Sequence, residues 1–395
     1  MNQHTLLGLL LLLSLPAYAQ ERNFNQCIAD WQAGGRERGL STNTLDEVIP
    51  RLRHLPEVIG YDRRQPEFMQ TFARYLDQRV TPARIDQGQY LLDQHKEFLD
   101  NLTNEHGIPG RYLVAFWGME SAFGQYLGKM PTLDSLATLA CDPRRSDYFT
   151  EELFQALLLM EREALSDRQM RGSWAGAMGH TQFMPSAYRA YAIDGDNDGR
   201  VNLWRSERDA LASGANFLNH LGWQRNQSWG QEVLLPADFP YAKTGLGNRQ
   251  KISYWAGLGV KSREDQPLPQ GELMASILLP TGHTGPAFIV YPNCHVIMKW
   301  NRSEFYALAV GLLADQIAGQ PTLSRPPSLA ERPLDRSTLL TLQSRLNELG
   351  YDAGKPDGIM GPNTRTALRA YQQATGLIAD GYPDNHTRQQ LLDLA

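Results

Sequence analysis

Between residues 113 and 127 apolar side chains recur at helical spacing, and one carboxylate sits among them. Leu113, Phe116, Trp117, Glu120, Phe123 and Leu127 fall on one stripe of a helix. So apolar a stripe must be covered by other elements, which makes this segment interior and obliges the rest of the chain to cover it. Glu120 is then expected to face inward. A carboxylate withdrawn from water is costly unless it is paired, hydrogen-bonded or protonated, and the protonated form is a general acid. Periodicity alone does not separate that role from a core glutamate tied to an arginine or to a helix N-terminus.

The covering elements read mostly as helices. Residues 24–40 form a first one, closed by Gly39, and residues 65–80 a second, with Phe68, Phe72 and Tyr75 on one face. Amphipathic stretches follow at 85–99, 132–140, 148–165, 203–221 and 305–317. Residues 274–279, 287–291 and 296–300 are short apolar runs among Pro and Gly, which predicts a small β element. The fold class is therefore mainly α. With 395 residues and 42% hydrophobic content the chain has room for two to three domains. A net charge of -5 gives no support to a nucleic-acid partner.

The first twenty residues differ from the rest. A Leu-rich run at 6–13, then Pro16 and Ala17-Tyr18-Ala19, predicts a signal peptide at 1–19, cut after Ala19. The first cysteine is Cys27, so none stands at the cut to take a lipid. Nothing later approaches a membrane span. For a bacterial source the expectation is a soluble periplasmic protein. Cys27, Cys141 and Cys294 permit one disulfide in any of three pairings, or three buried thiols.

A second informative stretch runs from 173 to 186, Ser-Trp-Ala-Gly-Ala-Met-Gly-His-Thr-Gln-Phe-Met-Pro-Ser. Its small residues allow close backbone approach, Ser173, His180 and Gln182 offer neutral hydrogen-bonding groups, and Trp174 and Phe183 offer ring faces. Such a set suits a sugar cleft. For His180 taken alone, a core role is the better reading.

The pairing of Gly118-Met119-Glu120-Ser121-Ala122-Phe123-Gly124 with that stretch resembles the B family of lytic murein transglycosylases, and the likeness extends to Asn301-Arg302-Ser303 and Tyr306-Ala307. The resemblance implies a lysozyme-like helical catalytic domain with Glu120 as its sole acid/base. It also implies that Ser173 hydrogen-bonds the Glu120 carboxyl, and that Gln182 and an aromatic-rich wall around Tyr306 hold the glycan. Asn301, Trp174 and Phe183 complete the expected substrate-binding set. No second acid follows Glu120 before Asp134, which suits a substrate-assisted mechanism better than a paired-carboxylate one. The expected reaction is non-hydrolytic cleavage of the MurNAc-GlcNAc bond to 1,6-anhydromuramyl products. A muramidase that uses water and a catalytically silent peptidoglycan-binding scaffold remain open. No cofactor is required.

Asp194, Asp196, Asp198, Gly199 and Val201 match the start of an EF-hand calcium loop spanning 194–205. Position twelve, where a bidentate acid belongs, is Arg205; Glu207 and Asp209 lie at the wrong spacing. Some members of the resembled family carry such a loop, so calcium is weighed there against a solvated turn.

Pro321, Pro326, Pro327 and Pro333 mark residues 319–334 as an extended linker. Beyond it Leu339, Leu342, Leu346 and Leu349 form a helical stripe ended by Gly350. Asp357-Gly358, Thr364-Arg365 and Leu368 then recur 23 positions later as Asp380-Gly381, Thr387-Arg388 and Leu391. With Leu342-Gln343, Leu349-Gly350-Tyr351, Gly361 and Tyr371-Gln372, this tail resembles the three-helix peptidoglycan-binding module of wall enzymes. The expected division is signal peptide 1–19, catalytic region 20–318, linker 319–334 and wall-binding domain 335–395. The expected partners are peptidoglycan glycan strands; sequence does not give an oligomeric state.

Overall fold

The computed structural model describes residues 23–64 and 70–392. The 1–19 signal peptide and the opening of the helix expected at 65–80 lie outside the described residues; the helix that follows runs Phe72–Arg79.

The central element is the helix Gly110–Ser121, buried on every side from Tyr112 to Met119. It is apolar all round, not on a stripe, as a helix at the middle of a core must be. Helices Pro82–Gln94, Lys96–His106, Glu207–His220 and Glu304–Ile317 pack around it. The expected stripe is corrected at its C-terminal end. Ala122, Phe123 and Gly124 take φ of 48°, 58° and 84°, so the helix stops after Ser121 and Phe123 and Leu127 lie beyond it.

A second cluster joins helices Phe24–Glu37, Thr132–Cys141 and Ser146–Arg162. Here Cys27 and Cys141 form the disulfide, their Cα atoms 5.9 Å apart. Cys294 is free and fully buried, and burial pushes its thiol up to about 12.

The β element is a five-stranded antiparallel sheet ordered Gln250–Lys251, Met274–Leu278, Ala287–Val290, Gly230–Leu234, Lys261–Ser262. Met274–Leu278 and Ala287–Val290 confirm two of the expected runs, with Ile277 opposite Ile289. Residues 296–300 are instead the end of a helix, Pro292–Trp300, which Pro292 opens at its first position. Gly230–Leu234 was not legible because Glu232, in its middle, reads as exposed yet is 4% accessible.

The linker has no helix or strand, but it is not loose. Glu232 accepts from Ser324 N (2.8 Å), Ser324 Oγ (2.9 Å) and Arg325 N (3.0 Å), and Arg263 donates to Pro321 O (3.2 Å). Buried carboxylate and linker satisfy each other.

Beyond the linker three helices, Arg336–Glu348, Pro362–Ala374 and Asn385–Leu392, enclose a small core of Leu342, Leu346, Leu368, Tyr371 and Leu391. The internal repeat has a structural basis. Gln343 Oε1 accepts from Gly358 N (2.8 Å) while its Nε2 donates to Asp357 and Thr364; Gln372 Oε1 accepts from Gly381 N (2.7 Å) while its Nε2 donates to Asp380 and Thr387. Each buried glutamine staples an Asp-Gly turn to the start of the next helix.

Candidate active site

Glu120 is half-buried, one residue before the end of its helix, at the floor of a cleft of about 320 Å³. The walls are Tyr75, Arg79, Met119, Ala177, Gln182, Trp300, Asn301 and Tyr306. Among the described residues lining it, Glu120 is the one carboxylate. Asp134, the next acid in sequence, is engaged elsewhere, with Arg53 at 2.8 Å.

The Tyr306 hydroxyl donates to Glu120 Oε1. Ser303 caps the helix Glu304–Ile317 by accepting from Tyr306 N (3.3 Å), and the Tyr306 ring packs on Phe116, 6.2 Å between centroids, so the phenol is fixed from both ends. Burial, and then the charge and hydrogen bond of Glu120, hold the phenol well above its ordinary range. Tyr306 therefore stays a protonated donor. At 4% accessibility it is not an open face for a sugar; what it touches is the acid.

Behind Glu120, the turn Ala122-Phe123-Gly124 is held by its neighbours. Ser121 Oγ donates to His180 O (2.7 Å) and accepts from Gly124 N (3.1 Å), and Trp117 Nε1 donates to His180 Nδ1 (2.8 Å). Burial lowers His180, so its ring is a neutral acceptor here and a structural one, in line with the core reading. A Cβ on Gly124 would lie 2.3 Å from that ring. Three successive left-handed residues are costly, and such strain persists only where the surroundings over-determine it.

The 173–186 stretch forms the opposite wall. Gln182 has φ 48° and its Nε2 donates to Leu127 O (3.2 Å) and Gly179 O (2.9 Å), which fixes the amide at the cleft. The small residues are explained: a Cβ on Gly176 would meet Leu136 at 2.4 Å, and one on Gly179 would meet Leu203 O at 2.5 Å.

Asn301, Gln182 and Tyr306 thus join Glu120 in one cleft, and three other expected residues do not. Phe183 is 2% exposed, its ring 5.2 Å from Phe217 and 5.3 Å from Trp300, so it is a core ring and cannot stack on a sugar. Trp174 is half-buried against Tyr61, 6.4 Å between centroids, and is not part of the cleft wall. Ser173 Oγ accepts from Ala177 N (3.0 Å) and Ala175 N (3.3 Å), closing its own turn, and Ser173 does not line the cleft. Sequence reasoning missed Tyr75 and Arg79, four apart on the helix Phe72–Arg79, and Trp300. Their spacing is that of any amphipathic helix, so only the fold could place them.

At the acidic loop, carboxylate oxygens of Asp194, Asp196 and Asp209 lie within 4.8 Å of one another. Asp198 is not of this group; its Oδ1 accepts from Arg200 N (2.8 Å). The third acid comes from the helix Glu207–His220, past the exposed Arg205. Burial raises the Asp209 carboxyl, against hydrogen bonds from Asn202 N and Gly195 N, and the charge of Asp196 adds to the rise. Three converging hard oxygen donors fit a cation such as calcium.

A sequence model of the family described as Transglycosylase SLT domain matches residues 23–315, and one described as Putative peptidoglycan binding domain matches residues 335–391. The chain belongs to the lytic transglycosylase family. It is 32% identical over 293 residues to Membrane-bound lytic murein transglycosylase B of Escherichia coli K12, covering 71% of this chain and 80% of that protein. The structure of SltB3 from Pseudomonas aeruginosa, solved in complex with NAG-anhNAM-pentapeptide, superimposes with a TM-score of 0.88 at 41% identity, over 94% of this chain and 100% of that one. Slt35 of Escherichia coli, solved in complex with calcium, gives a TM-score of 0.65 at 31% identity, over 76% and 94%. This lytic transglycosylase is an enzyme of peptidoglycan, mainly α, with a helical wall-binding module at its C-terminal end.

Proposed function

We propose that this lytic transglycosylase cleaves the MurNAc-GlcNAc bond without water, leaving 1,6-anhydromuramyl ends, in cell-wall remodelling or turnover. The observation that carries the reading is a lone carboxylate in the cleft with Tyr306 on Oε1. With Oε1 held as acceptor, the acid proton sits on Oε2. Glu120 passes it to the glycosidic oxygen as the bond to muramyl C1 breaks, and the muramyl N-acetyl group closes on C1 as an oxazolinium. The muramyl C6 hydroxyl then attacks C1, the C1–O bond of the oxazolinium breaks to restore the N-acetyl group, and the hydroxyl proton passes to Glu120, so the acid is regenerated and no water is consumed. Tyr306 steadies the carboxylate between the two transfers. Gln182 and Asn301 supply amides to the sugars.

Mass analysis of fragments released from purified sacculi tests this. Anhydro ends are expected; reducing ends would mean a muramidase, and no release a scaffold.

Asp194, Asp196 and Asp209 would hold calcium as a structural cation, with no part in the chemistry. Added calcium should then raise the melting temperature, by about 1–3 kcal/mol of stability at saturation, and an Asp196→Asn variant should not respond. The protein works in the periplasm: a disulfide suits an oxidising compartment, and among the described residues no helix is long and apolar enough to cross a membrane. The chain divides at 319–334, between a catalytic region of 20–318 and a wall-binding domain of 335–395.

A further inference from the structure

We infer that the cavity between the catalytic region and the wall-binding module is a second peptidoglycan site, which takes a carboxylate of a stem peptide on Arg365 and Arg369. The cavity measures about 350 Å³. One wall is the 244–248 loop with Leu278, Leu279 and Glu304; the other is the module helix Pro362–Ala374 with Asp380.

The two guanidinium groups are short of partners. Each carries five N–H donors. Arg369 makes one long bond, Nη2 to Asp380 O at 3.4 Å, and its Nε is buried with no hydrogen-bond partner. Arg365 reaches Glu304 only at 4.0 Å, and its charge also acts on Glu331. Among the described residues no carboxylate comes within ion-pair distance of Arg369. Asp380, the other acid in the wall, is already engaged, accepting from His283 N (2.9 Å), His283 Nδ1 (2.7 Å), Tyr382 N (2.8 Å) and Gln372 Nε2 (3.2 Å). Burial, and then the charge of Arg365, lower Arg369, while the carboxylates of Glu304 and Asp380 act the other way without reaching ion-pair contact.

Arg369 is also held in place. A Cβ on Gly245 would lie 3.2 Å from its Nη atoms, and one on Gly381 would lie 2.8 Å from Nη2, so the fork is pinned between two glycine backbones, one from each part of the chain. A desolvated cation with no carboxylate in direct contact is costly, and a fixed planar fork matches a carboxylate. Thr366 and Gln373 stand beside it, exposed, to meet peptide amides. Peptidoglycan offers such carboxylates on its stem peptides.

The inference rests on peptidoglycan being the substrate, and not on the fate of the glycosidic bond. Calorimetric titration of Glu120→Gln protein with a glycan-free stem pentapeptide, and with the same peptide amidated at its carboxylates, is the test. Saturable binding is expected, about tenfold weaker for the amidated peptide. Gln373→Glu and Thr366→Glu, both at exposed positions, should each weaken the acid peptide by about tenfold with unchanged melting temperature. No saturable binding, equal binding of the two peptides, or wild-type affinity in both variants would overturn the site and leave Arg369 a strut between domains. Fragment release from sacculi is measured separately: reducing ends with intact peptide binding would sink the transglycosylase chemistry and leave this site standing.

Discussion

In the proposed reaction a single carboxylate acts as acid and then as base, and Tyr306 is the residue that donates to one Glu120 oxygen. Removing the acid in Glu120→Gln should lower anhydro-fragment release by about 10²–10⁴-fold, the usual worth of general acid–base catalysis. Tyr306→Phe keeps the buried ring and loses only the donor. Its kcat should fall roughly 10–100-fold, the loss of one charge-assisted hydrogen bond, with KM nearly unchanged; a rise in KM with kcat intact would make Tyr306 a sugar contact instead. Glu120 was legible from the two motifs, yet the role of Tyr306 was not, because sequence shows an aromatic and not what its hydroxyl reaches. Phe183 failed for a related reason. A ring beside a binding motif is as often packed beneath it as exposed on it, and only burial decides.

The element that aims Glu120 is the left-handed turn after its helix. Gly124→Ala combines a φ of 84° with a Cβ 2.3 Å from the His180 ring, so it should cost about 1–3 kcal/mol in thermal unfolding and lower kcat as well. The helix Pro292–Trp300 carries a different test. Burial, with Arg249 and Lys299 nearby, pushes His295 down to about 4. Its folded value lies below the unfolded one, so its contribution is full above pH 6.5 and lost as pH falls toward 4. Wild type should therefore lose more stability than His295→Gln across that window, by no more than about 3 kcal/mol. Most helices were readable from periodicity, since apolar faces at helical spacing are set by burial. The strand Gly230–Leu234 was not, because its central Glu232 is buried for the sake of the linker. The break at His95, which divides the stretch expected as one helix into Pro82–Gln94 and Lys96–His106, left no mark either, as apolar spacing runs on across it.

At the scale of the whole molecule, the Cys27–Cys141 disulfide closes a loop of 114 residues that contains the Glu120 helix. Replacing both cysteines by alanine should lower stability by about 2–5 kcal/mol, read by chemical denaturation, while Cys294 stays unreactive in the folded protein. The pairing was beyond sequence, for three thiols allow three choices and only the packing of Phe24–Glu37 against Thr132–Cys141 selects one. The linker was recognisable from its prolines, but not its anchorage. Because Glu232 grips Ser324 and Arg325, and the module's own Asp380 accepts from His283 N and Nδ1, the module is not on a leash whose length sets an effective concentration. It works as a caliper: the grip on the wall and the cut are a constant distance apart, and a few glycines inserted after Arg325 would lengthen the chain without lengthening the reach.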